Sequence, residues 1–359
     1  MIGKRLKLAR EAAGLSLRDL EAVLQRLVSA QAIGKYERDE MMPSSGVLLA
    51  LAQVLQVPPD YLLSSQLIEL SGIDFRKASS AAIKEEKAVE AMVLDQVERY
   101  LTIEELLPGQ ERRWVESQRS EFEIHDIEVA EGAANALRKL WKLGIDPIPR
   151  MAELLEERGV KVVALDLPES VSGSKAYVRC AKATDVPVVV VNRQHNGERQ
   201  RFTLAHELAH LVLRFGDDFA EAKQEKVADR FAGAFLMAKE MLLSLLGQKR
   251  KAVSLGELVD LKQIFKVSVA SLVVRCRQLE IISWPLYRQL WAQINAHKLN
   301  HPNTQEPNPI AQEVPTRMLR LCFRAVAEGV VSSAKAASLL RISTRSLERM
   351  LDAEELASA

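Results

Sequence analysis

The chain has 359 residues, of which 48% are hydrophobic and 27% charged, and its formal net charge is +1. That length predicts two or three domains with ample material for packed cores, and the balanced charge neither indicates nor excludes nucleic acid, because a small basic surface hides in a neutral total. Cys180, Cys276 and Cys322 are far apart with no Cys-x-x-Cys, which argues against a disulfide framework or a thiolate zinc site and fits a cytoplasmic protein. No signal peptide is expected from the polar start Met1-Ile2-Gly3-Lys4-Arg5, and no membrane association from a chain without a spanning apolar run.

Residues 1–66 read as five short helices. The first starts at Ile2, carries Leu6 and Ala9, and stops at Gly14. Ser16 caps a second, Leu17 to Leu24, with Asp19 in its first turn favouring the positive helix end. Ser29 caps a third, Ala30 to Tyr36, and Pro43-Ser44 starts a fourth with Val47, Leu48, Leu51, Ala52 and Leu55. Val57-Pro58-Pro59 breaks the chain before Tyr61-Leu62-Leu63.

The pieces Ile-Gly-x-Arg-Leu-Lys-x-x-Arg, Gly-Leu-Ser-Leu-Arg-Asp-Leu and Ser-x-x-x-Ile-x-Lys-Tyr-Glu-Arg resemble the Cro/XRE-type helix-turn-helix domain. The resemblance implies double-stranded DNA as a partner, with the third helix in the major groove. Gln31 would read adenine, Ser29 or Lys35 would meet a phosphate, and Arg38 and Arg18 would be further backbone contacts. It also implies a homodimer where the operator is palindromic. Two features depart from the pattern: the turn Leu24 to Val28 lacks glycine, and the third helix is Ala-rich beside Glu37, Asp39 and Glu40. A docking or dimerisation module is the alternative reading.

Residues 67–125 read as a helical connector. Ala82 to Leu106 is strongly helical, with Val89, Met92, Val93, Val97 and Tyr100 on one face, and Leu107-Pro108-Gly109 ends it. It pairs with a second copy or packs back on its own domain. Arg112-Arg113-Trp114 and the stretch after Glu121 read as solvated spacer.

In residues 126–300, helices are expected over Ile127 to Leu143, with Ala130, Ala134, Leu137 and Trp141 inward, and over Arg150 to Glu157. Strands are expected over Val160 to Leu167, Ser174 to Cys180 and Pro187 to Asn192. Gly173 to Tyr177 is the candidate edge for holding an extended peptide. His195 reads as a surface loop histidine rather than a catalytic one, Tyr177 as a half-buried strand residue, and Arg199 and Arg201 as partners of nearby acids.

Arg199 to His210 contains His-Glu-x-x-His. No Pro or Gly interrupts the run to Phe215, and Leu204, Leu208, Leu211 and Val212 form a stripe at helical spacing. On a helix, His206 and His210 lie one turn apart on one face, where two neutral imidazoles bind one zinc ion, and Glu207 stands beside them as the base. A zinc peptidase site needs a third protein ligand. The following helix carries Glu225 and Asp229 one turn apart beside Val227, Ala228, Phe231, Ala234 and Phe235.

A Glu-x-x-x-Asp helix after His-Glu-x-x-His resembles the gluzincin arrangement. That likeness implies Glu225 as third zinc ligand and Asp229 as the residue orienting a ligand histidine; Glu221, Asp217 and Asp218 are the rivals. Asp229 as a fourth protein ligand would instead close a purely structural site. The stretches Arg-x-Arg-Phe-Thr-Leu-Ala-His-Glu-Leu-Ala-His and Glu-x-x-Ala-Asp-x-Phe-Ala-x-x-Phe-Leu-Met resemble the ImmA/IrrE family of zinc-dependent peptidases, from roughly Ile127 to Ile282. Ala238 stands where the family carries Pro. The family implies a regulator that cleaves a DNA-binding repressor or acts in a stress response.

Beyond this helix, Leu255 to Phe265, Ala270 to Leu279 and Pro285 to Lys298 read as helices, the first two also mimicking a helix-turn-helix. His297 and His301 are expected in solvent. His301 to Pro309 is a Pro/Asn-rich linker, and the tail holds helices over Pro315 to Gly329, Ser333 to Leu340 and Ser343 to Leu356, with Ser332 and Ser343 as caps.

The expected whole is multidomain: an all-α helix-turn-helix head, the connector, an α+β zincin-like (gluzincin-type) peptidase domain with a small β-sheet over 126–300, and a helical C-terminal tail over 301–359. The expected function is a DNA-binding regulator whose zinc-dependent endopeptidase hydrolyses a partner such as a repressor or antitoxin. The alternative is a DNA-binding regulator or antitoxin-like protein whose metal domain is a non-catalytic sensor or scaffold.

Overall fold

The computed structural model describes residues 2–63, 68–71, 80–114, 123–180, 185–216, 219–299 and 306–352. In chain order these form α1 (Gly3–Ala12), α2 (Leu17–Val23), α3 (Ala30–Glu37), α4 (Ser45–Val54), α5 (Pro59–Leu63), β1 (Ile68–Ser71) and α6 (Ser80–Leu106). There follow β2 (Glu123–Ile124), α7 (Val129–Leu140), α8 (Met151–Glu157), β3 (Lys161–Leu165), β4 (Gly173–Cys180), β5 (Val186–Asn192), α9 (Gly197–Val212) and β6 (Arg214–Phe215). The chain ends with α10 (Glu221–Leu236), α11 (Lys239–Leu246), α12 (Leu255–Phe265), α13 (Val269–Gln278), α14 (Trp284–Ala296), α15 (Arg317–Ala327), α16 (Ser333–Leu340) and α17 (Thr344–Leu351). No helix among the described residues is long and apolar enough to cross a membrane.

Two compact units emerge. The first comprises Met1–Glu111, Ala176–Val186 and Thr316–Ala359; the second comprises Arg112–Lys175 and Pro187–Pro315.

In the first unit, α1 to α5 close around Leu6, Leu20, Leu24, Ile33, Tyr36, Leu51 and Leu62. Gly3 is required at the start of α1, because a Cβ there would lie 2.3 Å from the Glu37 carbonyl oxygen. Ser16, Ser29 and Ser44 each cap a helix, and Ser16 with Asp19 forms a reciprocal capping box. The glycine missing between α2 and α3 is replaced by Gln25 and Arg26, both left-handed at φ 53° and 62°. The connector helix α6 packs back on its own unit: Arg5 of α1 forms a buried ion pair with Glu98. Tyr100, Ile103 and Leu107 share a core with Met318, Leu321, Cys322, Ala336, Ala337 and Leu347 of the tail. Met92, expected on the apolar face, is 37% exposed, and Ile103 takes its place in the core.

β1, absent from the sequence expectation, pairs antiparallel with β4, Ile68 opposite Cys180 and Ser71 opposite Tyr177. The expected free edge is therefore covered from Tyr177 onward, and Gly173 to Ala176 lie outside that register. A short strand next to Gly-rich, polar sequence gives too few alternating positions to announce itself.

In the second unit, β3 runs parallel to β5, Lys161 opposite Val188 and Leu165 opposite Asn192. The Val run of β5 is buried throughout, as a strand covered on both faces must be. Helix α10 is flanked by α7 and α9, with Trp141 meeting Phe235 edge to face at 5.8 Å. Trp114, read as spacer, is buried at 8% exposure.

The Pro/Asn-rich segment also departs from expectation. From Glu306 onward it is a strap tied into the second unit by buried charges. Glu306 pairs with Lys262 at 3.1 Å and accepts from the Val269 N–H. Glu313 pairs with Arg201 at 2.7 Å and accepts from the Met151 and Ala152 N–H groups at the open end of α8. His297 is exposed as expected; His301 lies outside the described residues.

Candidate functional site

Helix α9 is fixed at its first turn. The Asn196 side chain accepts from the Arg199 N–H at 2.9 Å. Glu198 pairs with Lys262 at 2.6 Å and accepts from the Ile310 N–H at 3.0 Å. Gly197 has no room for a side chain, since a Cβ would stand 2.3 Å from the Ala311 carbonyl oxygen. From there Leu204, Leu208, Leu211 and Val212 are wholly buried, which turns His206 and His210 toward α10.

Helix α10 is anchored at its far end. Arg138 donates to the Phe235 carbonyl at 2.6 Å and Arg275 to the Met237 carbonyl at 3.2 Å, cations placed where the helix dipole is negative. Glu131 holds Arg275 at 2.7 Å and Arg230 at 3.1 Å. Sequence reasoning assigned none of these braces, because nothing in their spacing distinguishes them from surface charges.

Between these helices, one donor atom each from His206, His210 and Glu225 lies within 4.8 Å of the others. The His206 and His210 Nε2 atoms are 3.2 Å apart. The Glu225 carboxylate oxygens stand 3.3 Å and 3.2 Å from those two nitrogens. Tetrahedral zinc with bonds of about 2.0–2.2 Å sets neighbouring donors about 3.3–3.6 Å apart, so the triangle fits one face of such an ion and leaves the fourth direction open. Asp229 stands apart from the triangle, on the other ring nitrogen of His206, with Nδ1 to Oδ1 at 2.9 Å. Glu221 is exposed at the start of α10; Asp217 and Asp218 lie outside the described residues.

The local field demands a cation. Burial alone would lower the His206 pKa, but hydrogen bonds with Asp229 and Glu225, and the charge of Glu207, carry it up to about 10. Lys175 adds a contact no motif announced, its Nζ 3.1 Å from the His210 carbonyl oxygen.

The other sequence candidates fall elsewhere. His195 is buried rather than on the surface, with Nε2 3.1 Å from the Glu169 carbonyl oxygen. Burial pushes its pKa below the ordinary value, aided by the charge of Arg199. Arg199 binds the Ser172 hydroxyl at 2.8 Å instead of an acid. In α3, Gln31 and Lys35 are exposed and the Ser29 hydroxyl caps the helix from the Ala32 N–H at 3.2 Å. Arg38 is exposed but engages Glu40 through both edges of its guanidinium at 2.6 Å and 3.0 Å.

No curated protein matches the chain. Residues 6–62 match a family model described as helix-turn-helix, and residues 155–277 match a peptidase family model described as the IrrE N-terminal-like domain. The chain therefore joins a Cro/XRE-type helix-turn-helix domain to an ImmA/IrrE-like domain of metallopeptidase type.

Proposed function

We propose that this protein is a cytoplasmic DNA-binding regulator carrying a zinc-dependent endopeptidase that hydrolyses a peptide bond in a partner protein such as a repressor or antitoxin. The supporting observation is the triangle of two imidazole nitrogens and one carboxylate at 3.2–3.3 Å, with Glu207 outside it and adjacent in sequence. His206, His210 and Glu225 hold the metal. Asp229 fixes the Nδ1–H tautomer of His206, so that Nε2 faces the ion.

Zinc supplies Lewis acidity there, polarising the scissile carbonyl and lowering the pKa of water from about 15.7 to about 7. Glu207 takes a proton from the attacking water as its oxygen adds to the carbonyl carbon. Glu207 then returns that proton to the amine as the C–N bond breaks. In the head, Gln31 reads a base while Ser29 and Lys35 meet phosphates; Arg38 joins them only by exchanging Glu40 for the DNA backbone.

Proteome-wide labelling of new N-termini, in cells expressing the wild type or Glu207→Gln, tests the catalytic half. The wild type should generate termini that the variant does not, while both purified proteins carry one zinc. Identical termini in both, with regulation intact, would leave the metal domain as a sensor or scaffold.

A further inference from the structure

The tail repeats the construction of the head. Helices α16 and α17 are joined by Arg341-Ile342-Ser343, a turn of the length that joins the two helices of a helix-turn-helix. Arg341 ends α16 in the left-handed conformation, φ 55° and ψ 40°, where such turns often place glycine. Ser343 caps α17 by accepting from the Ser346 N–H at 3.0 Å, as Ser29 caps α3 from the Ala32 N–H at 3.2 Å. Both second helices have eight residues.

Burial separates an inner from an outer face. Ala336, Ala337, Leu339 and Leu347 lie in the core shared with Tyr100 and Ile103. Ser343, Thr344, Arg345, Glu348 and Arg349 are exposed. Helices α12 and α13 have a comparable turn, with Lys266 left-handed and Ser268 as cap, but there Val269, Leu272, Val273, Arg275 and Cys276 are buried and nothing is presented. The α16–α17 pair is also basic: from Ser332 to Leu351, Lys335, Arg341, Arg345 and Arg349 stand against Glu348 alone, a net +3 in a chain of net +1. Arg341 is committed inward, to Asp95 at 2.6 Å and the Gln56 carbonyl at 3.3 Å, which ties the turn to α6 and to the end of α4 within the first unit.

We propose that α16–α17 is a second reader of double-stranded DNA. Helix α17 enters a major groove with Thr344 and Arg345 at base edges, and Arg349 and Lys335 lie on phosphates. This goes beyond the assignment of α3 and does not depend on which bases α3 reads.

The test uses the full-length, zinc-loaded protein and 40-bp duplexes that the wild type selects from a randomised pool. Hydroxyl-radical footprints and salt titrations compare Arg345→Ala/Arg349→Ala with the head variant Gln31→Ala/Lys35→Ala. The tail variant should bind about tenfold more weakly or worse, with a salt slope shallower by about two, since each lost phosphate contact removes about 0.9. Its footprint should shorten at one end, and that of the head variant at another. Arg345→Lys/Arg349→Lys should restore the slope without the base preference. The exposed positions of both arginines predict an unchanged melting temperature. An unaltered footprint, affinity and slope in the tail variant, with the head variant impaired, overturns the second reader and leaves the head assignment standing. Failure of the wild type to select any duplex overturns both.

Discussion

Asp229 is the most exposed member of the metal cluster, with its side chain 59% accessible, yet it holds His206 at 2.9 Å. An exposed carboxylate gains little from a simple ion pair, so its value lies in fixing the ring's tautomer and direction. Asp229→Ala should therefore weaken zinc binding by about 10–100-fold without unfolding the protein. Glu225→Ala, which removes one corner of the triangle, should leave the purified protein without stoichiometric zinc. Glu221→Ala, at the exposed start of α10, should change neither. Competition against a chromophoric chelator ranks the three, and an Asp229→Ala protein with wild-type affinity would reduce that residue to a solvated carboxylate.

At the scale of elements, what the sequence made legible were features with a period or a cap. The serine-capped helices of the head, the Val run of β5 and the apolar stripe of α9 all lie where spacing placed them, to within a few residues. What escaped was set by partners distant in sequence. β1 exists because β4 offers it an edge, and the strap from Glu306 to Glu313 reads as a linker until Lys262 and Arg201 are seen to receive its two carboxylates. His195 was misjudged for the same reason, since its burial depends on Glu169 in the preceding loop. The strap carries the next prediction. Arg201 is fully buried and Glu313 nearly so, and the same carboxylate satisfies two N–H groups of α8. Glu313→Ala strands a buried cation and two donors together, and should cost ~3–5 kcal/mol in urea unfolding, whereas Glu313→Gln keeps part of the hydrogen bonding and should cost less. A loss under about 1 kcal/mol in the alanine variant would show that water reaches Arg201 and that the strap is no structural member.

For the whole molecule, the proposed metal donors all come from α9 and α10 in the second unit, whereas the helix-turn-helix segments with exposed second helices belong to the first. A chain of this kind does not melt as one two-state body, so zinc must appear as a shift in the transition that opens α9 and α10. A ligand bound only by the native state stabilises it by about 2.7 kcal/mol at a free concentration 100 times its dissociation constant. Calorimetry with buffered zinc should raise that transition stepwise as free metal rises, and a chelator should reverse it. Glu207→Gln should follow the wild-type curve, because Glu207 stands outside the donor triangle, and Glu225→Ala should stay on the metal-free curve at every zinc concentration. If Glu225→Ala tracks the wild type instead, the stabilising ion sits elsewhere, and the α9–α10 triangle is an ion-paired cluster of two histidines with carboxylates rather than a metal centre.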